Sequence, residues 1–266
     1  MQNGKEKQQN KPMCRCGCDG PAEYMVASTD YDGTYFREGC CAQVVDYLEE
    51  CAAQKMDPVI LVIGSGDEYG LVRPQDLPIT ESTPFRPTSP YAVSKIAQDM
   101  LGLQYFLSHR LHCVRVRPFN HIGPRQADAF VVASFARQVA EAEAGVTAPA
   151  VCVGNLEPTR DFTDVRDMVR AYWLAAQHGE PGDVYNIGSG HAYRIGDILN
   201  SFVAMSRIPL RIEIDAQRVR PTDVPVTLCD AGKFMRATGW RPVIPMEETL
   251  RDVLDFWRER IIQVKT

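Results

Sequence analysis

No stretch of this sequence approaches the roughly 18 consecutive apolar residues of a bilayer span, so no helical membrane protein is expected. Basic residues are not in excess: 29 Lys and Arg stand against 34 Asp and Glu, a formal net charge of −5. Without a basic stripe, neither nucleic acid nor an anionic membrane is expected as a partner, and a phosphate-bearing ligand would need a local cluster of arginines. The first dozen residues, MQNGKEKQQNKP, lack the apolar core of a signal peptide, so a cytoplasmic location is expected. Internal repeats and low-complexity tracts are also missing. What remains is ordinary for a globular chain: 266 residues, 45% hydrophobic and 24% charged, enough for one large domain or a core with a small second lobe.

Paired metal-ligand cysteines are lacking too, although cysteine is not. Six of the nine cysteines (Cys14, Cys16, Cys18, Cys40, Cys41 and Cys51) crowd the N-terminal fifth. Their CxCxC spacing lacks the C-x2-4-C pairs of structural zinc sites, so no metal is expected and free thiols in an irregular arm are. Cys113, Cys152 and Cys229 are scattered, and in a cytosolic protein read as small buried hydrophobes.

Residues 1–40 are polar, rich in Gly and Cys, and without sustained period, which predicts an irregular arm. Residues 41–56 carry apolar side chains at helical spacing, and Asp57-Pro58 ends that helix. VILVIG (59–64) is a continuous β-branched run that predicts a strand buried on both faces, as in a parallel sheet. After a proline-containing loop (65–89), Ser89 and Pro90 suit the N-cap and first position of a helix to about Ser108. A strand is predicted at 113–118, stopped by Pro118, and helices at 130–145, 164–177 and 195–206. Strands are predicted at 183–189 and 210–215, a short helix near 230–237 and a last amphipathic helix at 247–261. The alternation of strands and helices points to an α/β fold with a parallel sheet.

Tyr91-Ala-Val-Ser-Lys95 carries the chemistry. Positions i and i+4 share a helical face, so the Tyr91 phenol and the Lys95 ammonium can point into one cleft. A free tyrosine has a pKa of about 10, and a neighbouring ammonium favours the phenolate and makes the phenol usable as an acid or base. Taken alone, a Tyr/Lys pair of this spacing is usually only surface. Context raises it. Ser65 stands at the carboxyl end of the buried strand, where ligands bind in open α/β sheets, and precedes Tyr91 by 26 positions. Its hydroxyl can bond a substrate carbonyl; the bland alternative is a turn serine bonding its own backbone.

Strand, serine, loop, Ser-Pro-Tyr-x-x-x-Lys, helix and strand together resemble the extended short-chain dehydrogenase/reductase superfamily. More specific are Arg117-Pro118-Phe119-Asn120-His121-Ile122-Gly123-Pro124, VGNL (153–156), RDFTDVRD (160–167) and Arg220-Pro221-Thr222-Asp223-Val224. In order over about three quarters of the chain, they resemble the GDP-sugar branch, that of the GDP-mannose 4,6-dehydratases and GDP-4-dehydro-6-deoxy-D-mannose reductases. The resemblance implies a catalytic Ser65, Tyr91 and Lys95 with Asp67 beside them. It implies an NAD or NADP cofactor touched by Tyr91, Lys95, Pro118 and Asn120. It implies a GDP-sugar held by Asn120, Val131, Arg160, Arg220 and Asp223, the arginines clamping the diphosphate with fixed-charge bidentate donors. The bland alternatives are core packing for Val131 and surface ion pairs such as Arg160 with Asp161. A homodimer through helices 41–56 and 90–108 is implied as well.

Dehydratases of this superfamily carry an acidic or hydroxyl residue and then Glu after the catalytic Ser or Thr. Gly66 and Asp67 occupy those positions here, so the resemblance favours reduction of a 4-keto-6-deoxy GDP-sugar to GDP-rhamnose. A GDP-mannose 4,6-dehydratase and a non-catalytic nucleotide-sugar-binding homologue are the alternatives. The family's Gly-rich strand–turn–helix that holds the pyrophosphate is not found before residue 60. Gly17-Cys18-Asp19-Gly20, the nearest candidate, follows no apolar strand. The expectation is therefore a Rossmann-like parallel sheet lacking its first βαβ units, from a truncated product, a degenerate homologue or a chain completed by a partner. The expected organization is an arm over 1–40, a partial Rossmann-like core over 41–125 and 147–190, and a substrate-binding lobe over 126–146 and 191–266.

Overall fold

Ile60–Ile63 (β2) are buried on both faces, as a continuous apolar run requires in a parallel sheet. In the computed structural model, which describes residues 25–27, 53–54, 58–218 and 224–265, β2 lies inside a four-stranded sheet. Its order is β1 (Met25–Ala27), β2, β3 (Cys113–Pro118), β7 (Val184–Ile187), all parallel. β1 is a correction: a strand stands within 1–40, where an irregular arm was expected, because the β2 edge offers it a backbone partner. The helix expected over 41–56 lies outside the described residues except for Ala53 and Gln54, which are helical. Gly17–Gly20 and the six N-terminal cysteines lie outside them altogether.

Alternation along β2 and β3 sends side chains to two faces. Leu61, Ile63, Val114 and Val116 pack with Met168, Ala171 and Ala175 of α3 (Val165–His178). Ile60, Val62 and Cys113 pack with Tyr105 of α1 (Pro90–His109) on the other face. α1 starts as expected: Ser89 Oγ accepts the Ala92 amide at 3.1 Å and Pro90 follows it. It ends at Arg110, in the left-handed region with φ 59°. Gly102 lets α1 lie close on the sheet, since a Cβ there would stand 2.9 Å from Val62 Cγ2.

β3 leads at once into β4 (Asn120–Ile122), which pairs with β6 (Thr159–Asp164); β8 (Ala192–Arg194) adds antiparallel to β6. The second lobe is a β5–β9 pair (Ala150–Val153, Arg211–Ile214) under α2 (Val131–Glu143), α4 (Ile195–Met205) and α6 (Met246–Lys265). Its core joins Val132, Phe135, Val151, Phe162, Leu199 and Leu254. β4, β5, β6 and β8 were not read from the sequence, being short and, β5 aside, polar. Packing also divides the chain less simply than the sequence boundaries do. β5 and Phe162 join the smaller core, whereas Phe234 of α5 (Gly232–Thr238) and Trp240 return to the larger one against Tyr185 and Ile187. Cys113 and Cys229 are buried and Cys152 is half-buried. Among the described residues no helix is long and apolar enough to cross a membrane.

Candidate active site

At the carboxyl end of β2 the chain turns into a short 3-10 helix, Gly66–Tyr69, with Ser65 as its N-cap. Ser65 Oγ accepts the Asp67 amide at 3.1 Å, and the Ser65 amide donates to Glu68 Oε1 at 2.7 Å. This is a capping box, S-x-x-E, and it realizes the bland reading of Ser65 without excluding the chemical one. A hydroxyl has two lone pairs and one proton. With a lone pair taken by Asp67 N–H, the proton is left to donate. Gly66 packs under the Phe119 ring; a Cβ at Gly66 would stand 3.0 Å from it.

Tyr91 and Lys95 sit one turn apart at the start of α1, with Lys95 Nζ 5.9 Å from the Tyr91 ring centroid. Lys95 is 3% exposed. Its ammonium donates to the Ile63 carbonyl at 2.9 Å and to Gln98 Oε1 at 3.1 Å. Those bonds anchor a fixed positive charge beside Tyr91 at the end of β2, two residues before Ser65 in sequence. Tyr172 of α3 is a neighbour that sequence reasoning missed. Burial first, and then the Tyr91 phenol, hold its own phenol above the ordinary range.

Beneath Ser65 lies a buried charge network that was also missed. Arg115 and Arg117 lie on one face of β3 and both reach Asp99 of α1, each at 2.5 Å. Arg117 also donates to Tyr69 OH at 2.9 Å, and Tyr69 donates to Asn186 Oδ1 at 2.7 Å. Glu68 is fully buried, with Oε2 3.1 Å from Arg117 Nε. That N–H is aimed at Asp99, so Oε2 has no hydrogen-bond partner among the described residues. Burial and the Asp99 carboxylate push the Glu68 carboxyl up to about 8 against the pull of Arg117. The folded chain therefore binds this proton more tightly than the unfolded one. The stability it contributes is complete below the ordinary carboxyl range and is lost as pH rises through about 8. Glu68→Gln, which mimics the neutral acid, should remove that loss. Thermal unfolding should thus show wild type falling more than the variant between acidic and mildly alkaline pH; parallel curves would contradict it.

The remaining expected residues are spread around this center. Pro118 ends β3 buried, and Asn120 begins β4 exposed, where the chain passes from one sheet to the other. Val131 opens α2 at 37% exposure, so it is not core. Asp67 is exposed; the buried acid of the turn is Glu68. Arg160 Nη1 donates to the Val224 carbonyl at 2.6 Å, tying β6 to the segment after Asp223. Asp161 points to the opposite face and accepts Ser189 N–H, Ser189 Oγ–H, Gly190 N–H and Cys229 N–H at 2.7–3.0 Å. Arg220 and Asp223 lie outside the described residues.

The sequence model of the GDP-mannose 4,6 dehydratase family matches residues 40–253. The chain belongs to this family. Among its relatives, the GDP-6-deoxy-D-mannose reductase of Pseudomonas aeruginosa is 37% identical over 217 residues, covering 82% of this chain and 71% of that protein. GDP-mannose 4,6 dehydratase 1 of Arabidopsis thaliana is 30% identical over 196 residues, 72% of this chain. This chain spans about half (52%) of the length of that plant relative. The solved structure of RMD from Pseudomonas aeruginosa complexed with NADPH superposes with a TM-score of 0.82 at 34% identity, covering 90% of this chain and 82% of that one. The family's Rossmann-like α/β fold is thus the fold of this chain.

Proposed function

We propose that the chain reduces the 4-keto group of a 4-keto-6-deoxy GDP-sugar, forming GDP-rhamnose with NADH or NADPH as reductant. The observation that carries this reading is the Ser65–Tyr91–Lys95 arrangement beside a Gly66 packed against Phe119. The described residues suit the nicotinamide end of a dinucleotide: the Lys95 ammonium, which donates to the Ile63 carbonyl and Gln98, places its charge at the carboxyl end of β2, where such ligands bind. A reduced nicotinamide, when bound, supplies the hydride to C4. Ser65 donates a hydrogen bond to the C4 oxygen and orients it. As the C4–O π bond breaks, that oxygen takes the Tyr91 phenolic proton. The Lys95 charge stabilizes the phenolate left behind. Arg160, Arg220 and Asp223 hold the GDP moiety in this reading, and Asn120 and Val131 line the sugar end.

Similarity to the Pseudomonas reductase and the Gly66 environment support reduction over dehydration. Loss of water across C5–C6 needs a further acid and base beside the triad. Gly66 has no side chain to offer, and a larger residue there would displace the Phe119 ring. Product analysis tests the reading: consumption of reduced cofactor with a GDP-4-keto-6-deoxy sugar is expected, whereas release of a 4-keto sugar from GDP-mannose would overturn it in favour of a dehydratase.

A homodimer through α1 belongs to the same proposal. Val93, Met100 and Leu107 recur every seven residues and are 49%, 37% and 57% exposed, an apolar stripe along one face of α1. Met100→Glu with Leu107→Glu should convert a dimer to a monomer in light scattering after gel filtration. A wild-type monomer at micromolar concentration would contradict the proposal.

A further inference from the structure

We propose that Glu68 is a positioning residue for Ser65, a role that rests on the reductase reading and adds a residue to it. Two backbone contacts define where a serine hydroxyl at the end of a strand can point, and Glu68 makes one of them by accepting the Ser65 amide at 2.7 Å. The other, the Asp67 amide to Ser65 Oγ at 3.1 Å, depends on the same turn staying closed. The surroundings are shaped for this acid. A Cβ at Gly64 would stand 2.2 Å from Glu68 Oε1, so the glycine before Ser65 makes room for the carboxyl. Glu68 is 0% exposed, so it cannot itself meet the substrate and acts only through Ser65. Asp99 and Arg117, held by Arg115, Tyr69 and one another, lie behind it, with Arg117 Nε 3.1 Å from its second oxygen.

The neutral amide of Glu68→Gln retains the acceptor for Ser65 N–H and offers N–H toward Asp99. Glu68→Leu has similar bulk and no acceptor. We expect Glu68→Gln to keep kcat within about threefold, and Glu68→Leu to lose about 10–100-fold in kcat, the scale of a reacting group misplaced by about 1 Å, with KM for the sugar nearly unchanged. In a Ser65→Ala background the same Glu68→Leu change should cost almost nothing further, because no hydroxyl is left to position. Equal losses in both backgrounds would overturn the proposal and leave Glu68 as a structural residue only. Thermal unfolding checks that each variant folds, and Glu68→Met, unbranched and without an acceptor on its chain end, replaces Glu68→Leu if that variant does not.

Amide hydrogen exchange at Ser65 supplies a readout independent of turnover. Exchange at Ser65 should rise at least about tenfold in Glu68→Leu relative to wild type and Glu68→Gln, with the β3 amides unchanged. Unchanged protection at Ser65 would overturn the proposal. An inactive wild type whose Ser65 amide nevertheless responds in this way would count against the reductase reading while supporting the role of Glu68.

Discussion

Tyr91→Phe should lower kcat for keto-sugar reduction by about 10²–10⁴-fold, the range of a lost general acid. The ring stays and only the hydroxyl is removed, so the binding constant for the GDP-sugar should move far less than kcat. Steady-state rates paired with calorimetric binding separate the two. The size of the effect follows from the placement of Lys95. In the proposed reaction a buried ammonium fixed by the Ile63 carbonyl and Gln98 would stabilize the phenolate that follows proton transfer, and a phenyl ring has no such state to stabilize. A variant that retained most of the wild-type rate would remove Tyr91 from the chemistry. The acid would then have to be sought elsewhere in the cleft, where Tyr172 is a phenol that senses Tyr91.

Asp161→Asn should destabilize the fold by about 3–5 kcal/mol. Asp161 is fully buried and accepts four donors, two on each oxygen. Asparagine replaces one oxygen with a donor and so turns N–H toward N–H or O–H, leaving two of the four donors without their acceptor: either the pair on Ser189 or the Gly190 and Cys229 amides. Urea unfolding measures the loss directly, and the melting temperature should fall by roughly 6–20 °C. The residue also knots three segments together: β6, the Ser189–Gly190 turn and the stretch at Cys229. Arg160 next to it is tied to Val224, so substrate binding should weaken along with stability. A loss below about 1 kcal/mol would mean that the four bonds are replaced on relaxation.

The elements legible in the sequence are those whose local and long-range demands agree. Ser89 and Pro90 specify where α1 starts, and nothing in the fold opposes them. The run 59–64 reads as a buried strand and 113–118 as a strand; Ile60–Ile63 and Cys113–Pro118 form both, each buried. β1 was not legible because three residues in a polar, Cys-rich stretch carry no period; pairing with β2 makes them a strand. Arg115 and Arg117 inside a buried strand are intelligible only with Asp99, which lies on a helix rather than on the sheet. Val131 was open between core and pocket, and its exposure removes the core alternative.

Within the site, resemblance directed attention to Asp67 as the acid of the turn. The burial lies one residue later. Ser65-Gly66-Asp67-Glu68 is a capping-box spacing and was readable as one, but the pattern cannot say that the glutamate is enclosed by Arg117 and Asp99. Tyr172 carried no local signal, since it reaches Tyr91 only through the packing of α3 on the sheet. Arg220 and Asp223 lie outside the described residues; Arg160 holds Val224, the residue after Asp223.

The proposed reaction is hydride delivery to C4 under the control of Ser65, Tyr91 and Lys95. The most direct test is to incubate the protein with a GDP-4-keto-6-deoxy sugar and NADPH or NADH deuterated on the transferable position, and to read the product by NMR and mass spectrometry. One deuterium at C4 of GDP-rhamnose, absent with Tyr91→Phe on the same time scale, is the predicted result. Unlabelled sugar and unconsumed cofactor, from a folded protein that binds the GDP-sugar, would contradict it and leave a nucleotide-sugar-binding protein without turnover.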